Sequence, residues 1–153
     1  MKSMLKHVAM LSGSVVAAGC AIPTNPPQAQ VVPYQAVRHS AAGAEGYYAL
    51  GKYYIGQQRP ADALIEFTKA VNANPNHIEA RNGRATALAQ LGEFRSAAGE
   101  LKTALERAPE AVHLLNNLGY VQTLGGQFDE AAETLRKAFA LDPKNERVRA
   151  NWA

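Results

Sequence analysis

The sequence predicts an all-α fold: an α-solenoid of three helix-turn-helix repeats with a short C-terminal partial cap helix. Three observations predict it. Pro75, Pro109 and Pro143 recur 34 residues apart inside similar phrases, VNANPNH, LERAPEA and ALDPKNE, and a fixed period of this size marks a repeat array. Apolar residues in the segments between them fall at helical spacing. Small residues recur in register where paired helices have to approach closely. With each proline at the thirty-second position, the repeats run 44–77, 78–111 and 112–145 without insertions, and 146–153 is left as a partial capping helix.

The first half of repeat one, EGYYALGKYYIGQ, places Tyr47, Leu50 and Tyr54 at helical spacing and can form one short helix. GQQR then reverses the chain, and LGE and GGQ do the same later. The second half, PADALIEFTKAVNAN, opens on Pro60, which suits a first turn because its missing N–H has no partner there. Ala63, Phe67, Ala70 and Val71 follow on one face. The eighth position of the repeats reads Gly51, Ala85, Gly119; the twentieth Ala63, Ala97, Ala131; the twenty-seventh Ala70, Ala104, Ala138. These small residues let helices pair closely, and Phe67, Leu101 and Leu135 at the twenty-fourth position fill the space between. No helix pair buries its apolar face alone; stacked neighbours do so. The middle repeat departs at its fourth and seventh positions, Arg81 and Arg84, whose stems are expected to cover the core while the guanidiniums reach solvent or Glu100. The tail ERVRANWA gives about two helical turns, too short to stand alone. Trp152 falls at the seventh position of a fourth repeat, where Leu50 and Leu118 sit in theirs. It is expected to cover part of the last repeat and to leave a partly apolar edge open to self-association.

These columns closely resemble the tetratricopeptide repeat (TPR) family. The resemblance covers about two-thirds of the chain and implies a protein-binding scaffold. In that family the first helices line a groove, which the second, fifth, ninth and twelfth positions face. Carried over, the fifth-position column is Tyr48, Asn82 and Asn116, the ninth Lys52, Thr86 and Tyr120, and the second Glu45, Glu79 and His113, with Asn117 adjoining. The expected peptide- or protein-binding groove is therefore Tyr48, Lys52, Asn82, Thr86, Asn116, Asn117 and Tyr120. Tyrosines offer contact area with a hydroxyl, and Asn both donates to and accepts from a peptide backbone. Some TPR chaperone adaptors grip a C-terminal carboxylate with two Lys, two Asn and an Arg. At those places this chain has Tyr48, Lys52, Gly83, His113 and Asn117, which argues against such a clamp.

The N-terminus has a different character. MKSMLKH supplies a short basic region, and VAMLSGSVVAA an apolar run of about eleven residues, short of the roughly 20 that span a bilayer. Ala17, Ala18 and Gly19 lead into Cys20, the only cysteine in the chain. Residues 1–19 resemble a bacterial lipoprotein signal peptide, although that family usually has Leu where Ala17 stands. The resemblance implies lipid attachment at Cys20, and two or more acyl chains anchor stably. Ala21 follows, where an Asp would imply retention in the inner membrane. The expected location is therefore the outer membrane, lipid-anchored and facing the periplasm. Residues 20–43 hold Pro23, Pro26, Pro27 and Pro33 and read as a tether of about 25–30 Å as a coil.

Composition limits the chemistry. The net charge of +3 includes Lys2 and Lys6; without residues 1–19 it falls to +1, which leaves no basic excess for nucleic acid. His7, His39, His77 and His113 belong to no acid–base constellation, and there is no cysteine pair, metal-loop spacing or phosphate loop. Glu66, Glu130 and Glu133 with Lys69, Arg136 and Lys137 read as solvated helix faces. No enzymatic activity, cofactor or metal is expected. A lipoprotein signal, a short tether and a TPR array together resemble the Flp/Tad pilus assembly lipoprotein and the pilotins of type IV pili. The resemblance implies a scaffold in pilus or secretion-system assembly. The alternatives are an adaptor for outer-membrane protein insertion or cell-wall hydrolases, and an accessory subunit of a catalytic partner.

Overall fold

The computed structural model describes residues 43–152. Among them are seven α-helices and no strand: α1 Ala44–Gly56, α2 Pro60–Ala73, α3 Ile78–Gln90, α4 Phe94–Arg107, α5 Val112–Leu124, α6 Phe128–Leu141 and α7 Glu146–Trp152. First helices are 13 residues long and second helices 14, in all three repeats. Each helix packs on the next, and α1 also meets α3, as α5 meets α7. The signal segment, Cys20 and the tether up to residue 42 lie outside the described residues. None of the described helices is long and apolar enough to cross a membrane.

The small-residue columns work as close-approach points. Phe67 is 1% exposed and wedges between α1 and α3. A Cβ on Gly51 would lie 2.5 Å from its ring, and one on Gly83 would overlap the ring as well. In repeat three, a Cβ on Gly119 would lie 2.5 Å from Leu135. Ala63, Ala70, Ala97, Ala104, Ala131 and Ala138 are all buried. The turns repeat too. Gln58, Gly92 and Gly126 occupy one register position and share positive φ, 56°, 82° and 74°. Gln58 adopts there a conformation that glycine takes without steric cost.

Arg81 and Arg84 both bond Glu100 of α4: Arg81 Nη1 donates to Oε2 at 3.2 Å and Arg84 Nη2 to Oε1. Arg81 Nε also donates to the Pro75 carbonyl at 3.1 Å. One carboxylate on the neighbouring helix thus replaces the apolar contacts made at these positions elsewhere. Of the residues read as solvated faces, Lys69, Glu130, Glu133, Arg136 and Lys137 are exposed, whereas Glu66, which pairs with Lys69 at 2.7 Å, has a side chain only 13% exposed.

At the C-terminal edge the anchor is Val148, fully buried against Leu115 and Ala138. Trp152 stacks on Phe139 at 6.3 Å but stays 42% exposed. Phe94 of repeat two packs against Gly125 at the end of α5, where an added Cβ would lie 3.1 Å from it. Its counterpart in repeat three, Phe128, is 68% exposed, and Leu141 at the opposite end of the same helix is exposed as well.

Candidate functional site

The first helices α1, α3 and α5 carry the predicted groove residues. At the α1 end, the Tyr48 ring lies 5.0 Å from His77 and 6.0 Å from Phe67, with Lys52 Nζ 4.4 Å above it. Burial first, then the charges of Glu79 and Glu45, push the Tyr48 hydroxyl above its ordinary pKa. His77 caps α3: its Nδ1 accepts from the Ala80 amide at 3.2 Å, and its Nε2 lies 3.1 Å from Glu45 Oε1.

The asparagines are paired between repeats. Asn117 Nδ2 donates to Asn82 Oδ1, and Asn151 Nδ2 to Asn116 Oδ1, each at 2.9 Å and each 35 residues apart in sequence. A fifth-position amide therefore accepts from the sixth-position amide of the next repeat. Asn82 Nδ2 donates to Glu79 Oε2 at 3.4 Å, and Glu79 Oε1 lies 3.1 Å from His113 Nε2. Thr86 Oγ1 is turned inward, donating to the Asn82 carbonyl at 3.0 Å. Asn116 is only 6% exposed, whereas Tyr120 is 50% exposed.

Two recesses open along this row and share Asn117. One, of about 470 Å³, is lined among others by Asn82, His113, Asn116, Asn117, Asn145 and Arg147. The other, of about 320 Å³, is lined among others by Thr86, Ala89, Asn117, Tyr120, Val121 and Leu124. Tyr48 and Lys52 line neither. The structure thus brings Asn82, Asn116 and Asn117 together in the first recess and Thr86, Asn117 and Tyr120 in the second, and places Tyr48 and Lys52 apart. Asn145, Arg147 and Asn151 were not singled out from the sequence. The signal for Asn151 was available: it falls at the sixth position of a fourth repeat, 34 residues after Asn117. At the carboxylate-clamp positions, Gly83 has no room for a side chain beside Phe67, Lys52 covers a tyrosine ring and His113 faces Glu79. Among the described residues no group of three or more His, Cys, Asp or Glu is placed to hold a metal ion.

Models of the tetratricopeptide repeat match residues 44–77 and 82–146, together well over half of the chain. The chain is 30% identical over 112 residues to small glutamine-rich tetratricopeptide repeat-containing protein 2 of Mycosarcoma maydis, covering 73% of this chain and 32% of that one. It spans a third or less of the length of the curated relatives it matches. The crystal structure of YrrB, a TPR protein with an unusual peptide-binding site, superposes with a TM-score of 0.69 at 25% identity, covering 76% of this chain and 60% of that one. The first TPR of Spaghetti (RPAP3), bound to an HSP90 peptide, superposes with a TM-score of 0.69 at 20% identity over 72% of this chain and 87% of that one. With its 34-residue period, its paired helices and its close-approach glycines, the chain belongs to the tetratricopeptide repeat family.

Proposed function

We propose that this protein is a membrane-tethered TPR scaffold that holds a segment of a partner protein against α1, α3 and α5. The observation that carries the reading is the row of inter-repeat amide pairs flanked by two recesses, with half-exposed Tyr120 in the second. A row of polar side chains fixed by their own hydrogen bonds is a preorganised surface, which lowers the ordering cost of binding. Tyr120 supplies an aromatic anchor of the kind that dominates interfaces. Tyr120→Ala should weaken partner capture by about 1–2 kcal/mol, roughly ten-fold, with the thermal transition unchanged. Unchanged affinity by calorimetry would move the site to the second helices or the tether. Asn116→Ala is the poorer probe, because it strips a buried amide from Asn151.

The tethering half of the proposal rests on the apolar run and small residues before the sole cysteine, Cys20. The setting it fits is assembly of a pilus or secretion channel at the outer membrane, with the array facing the periplasm. The partly apolar C-terminal edge, with Phe128 and Trp152 exposed, is a surface for self-association. Cys20→Ser, expressed in a Gram-negative host, should abolish acyl mass and leave precursor. Normal maturation and membrane fractionation of that variant would refute the anchor.

A further inference from the structure

The two recesses sharing Asn117 differ in chemistry, and the difference specifies what they accept. The first is walled by amides with valences to spare. Asn117 uses Nδ2 on Asn82, and its Oδ1 accepts no hydrogen bond among the described residues. Asn116 uses Oδ1 on Asn151, and its Nδ2 donates none among the described residues. A free acceptor and a free donor therefore stand on adjacent residues of α5, both lining the recess. The charges around them do not suit an anion. Arg147 and Glu146 both line the recess, and Glu79 is bonded to lining Asn82 and close to lining His113. Among the lining residues Arg147 is balanced by Glu146, and Glu79 stands behind Asn82 and His113 without lining the recess. A carboxylate entering here would offer nothing to the Asn117 acceptor and would meet no net positive charge among the lining residues. A carboxamide or main-chain amide carries both a donor and an acceptor. The second recess is apolar for most of its lining, with Ala89, Leu101, Val121 and Leu124 beside Tyr120.

We propose that this surface takes a neutral extended peptide, with a carboxamide side chain in the amide recess and an aliphatic side chain in the recess beside Tyr120, and that it discriminates against a carboxylate in the former. The two recesses adjoin at Asn117, and in an extended peptide residues two apart project from the same face at about 6.5–7 Å, so the shortest segment that could serve both is aliphatic–any–Gln or its reverse. The inference rests on the groove reading above and names its ligand class. It also separates this chain from an acidic-tail receptor on grounds of charge.

The test uses the full chain in detergent micelles and three probe peptides: acetyl-Leu-Gly-Gln-dimethylamide, whose terminus carries no N–H, and its Glu and Ala counterparts at the third residue. Side-chain amide resonances of Asn116 and Asn117 and the ring resonances of Tyr120 are followed by NMR. The Gln peptide should shift all three and bind about ten-fold more tightly than the Glu or Ala peptide, because only its third side chain brings both a donor and an acceptor to Asn116 and Asn117. Asn117→Ala should erase the preference for Gln while the Tyr120 shifts persist. A Glu peptide that binds as tightly or more tightly overturns the inference, and so does an absence of shifts at these amides with all three probes. Shifts confined to Tyr48 and Lys52 overturn it too while leaving the groove reading in place. That reading stands or falls separately on partner capture by Tyr120→Ala.

Discussion

Phe67→Ala should lower the unfolding free energy by about 3–5 kcal/mol, the usual range for deleting a buried aromatic ring from a core. Collapse is limited here on the sides where glycine and alanine meet the ring, while Tyr48, Tyr54, Ile55 and Leu64 pack against the same cluster. The ring fills the space between α1 and α3 because Gly51 and Gly83 present bare backbone to it, and Ala63 and Ala87 beside it are fully buried and small. None of these four residues has a side chain that can swing into the void. With domain stabilities of about 5–15 kcal/mol, the loss is a large fraction of the total. Repeat arrays also fail locally, so the first repeat should melt before the third. The checks are urea denaturation and amide hydrogen exchange resolved by repeat. A loss below about 1 kcal/mol, or uniform exchange, would show that Phe67 is not the wedge between the first two repeats.

Glu100→Ala should cost about 2–3 kcal/mol. It leaves Arg81 and Arg84, each less than a fifth exposed, without the carboxylate that both bond. The triple change Arg81→Leu, Arg84→Leu and Glu100→Leu has the opposite sign. It removes all three charges together and restores apolar residues at positions where Leu115 and Leu118 serve in repeat three. Replacing a buried ionic cluster with packed apolar groups is neutral or stabilising by about 1–4 kcal/mol. Equal destabilisation of both variants in urea melts would mean that the arginine stems are held for packing and not by the carboxylate.

The repeat period, the helix pairs and the turns were legible in the sequence because each is a local property. Helical spacing, glycine or a glycine-like conformation at turns, and small residues in register depend only on positions within one repeat. Arg81, Arg84 and Glu100 could be read together because all three lie within one repeat. What escaped depends on register between repeats. Gly83 faces Phe67 of the preceding repeat, and the fifth-position asparagines meet the sixth position of the following one. A column of like positions sets Asn82 beside Asn116, whereas the fold sets Asn82 beside Asn117 and Asn116 beside Asn151. The cap shows the same limit. Trp152 drew attention by size, yet Val148, three residues into the fourth repeat, is the side chain that the fold buries completely.

The central claim is that the face formed by α1, α3 and α5 holds the partner. Site-specific photocrosslinking in intact membranes tests it most directly, with a benzophenone side chain placed in turn at Tyr120 on α5, at Lys102 on α4 and at Glu130 on α6, all three exposed. The account predicts a partner adduct from position 120 and none from 102 or 130. An adduct from 102 or 130 with none from 120 would contradict it.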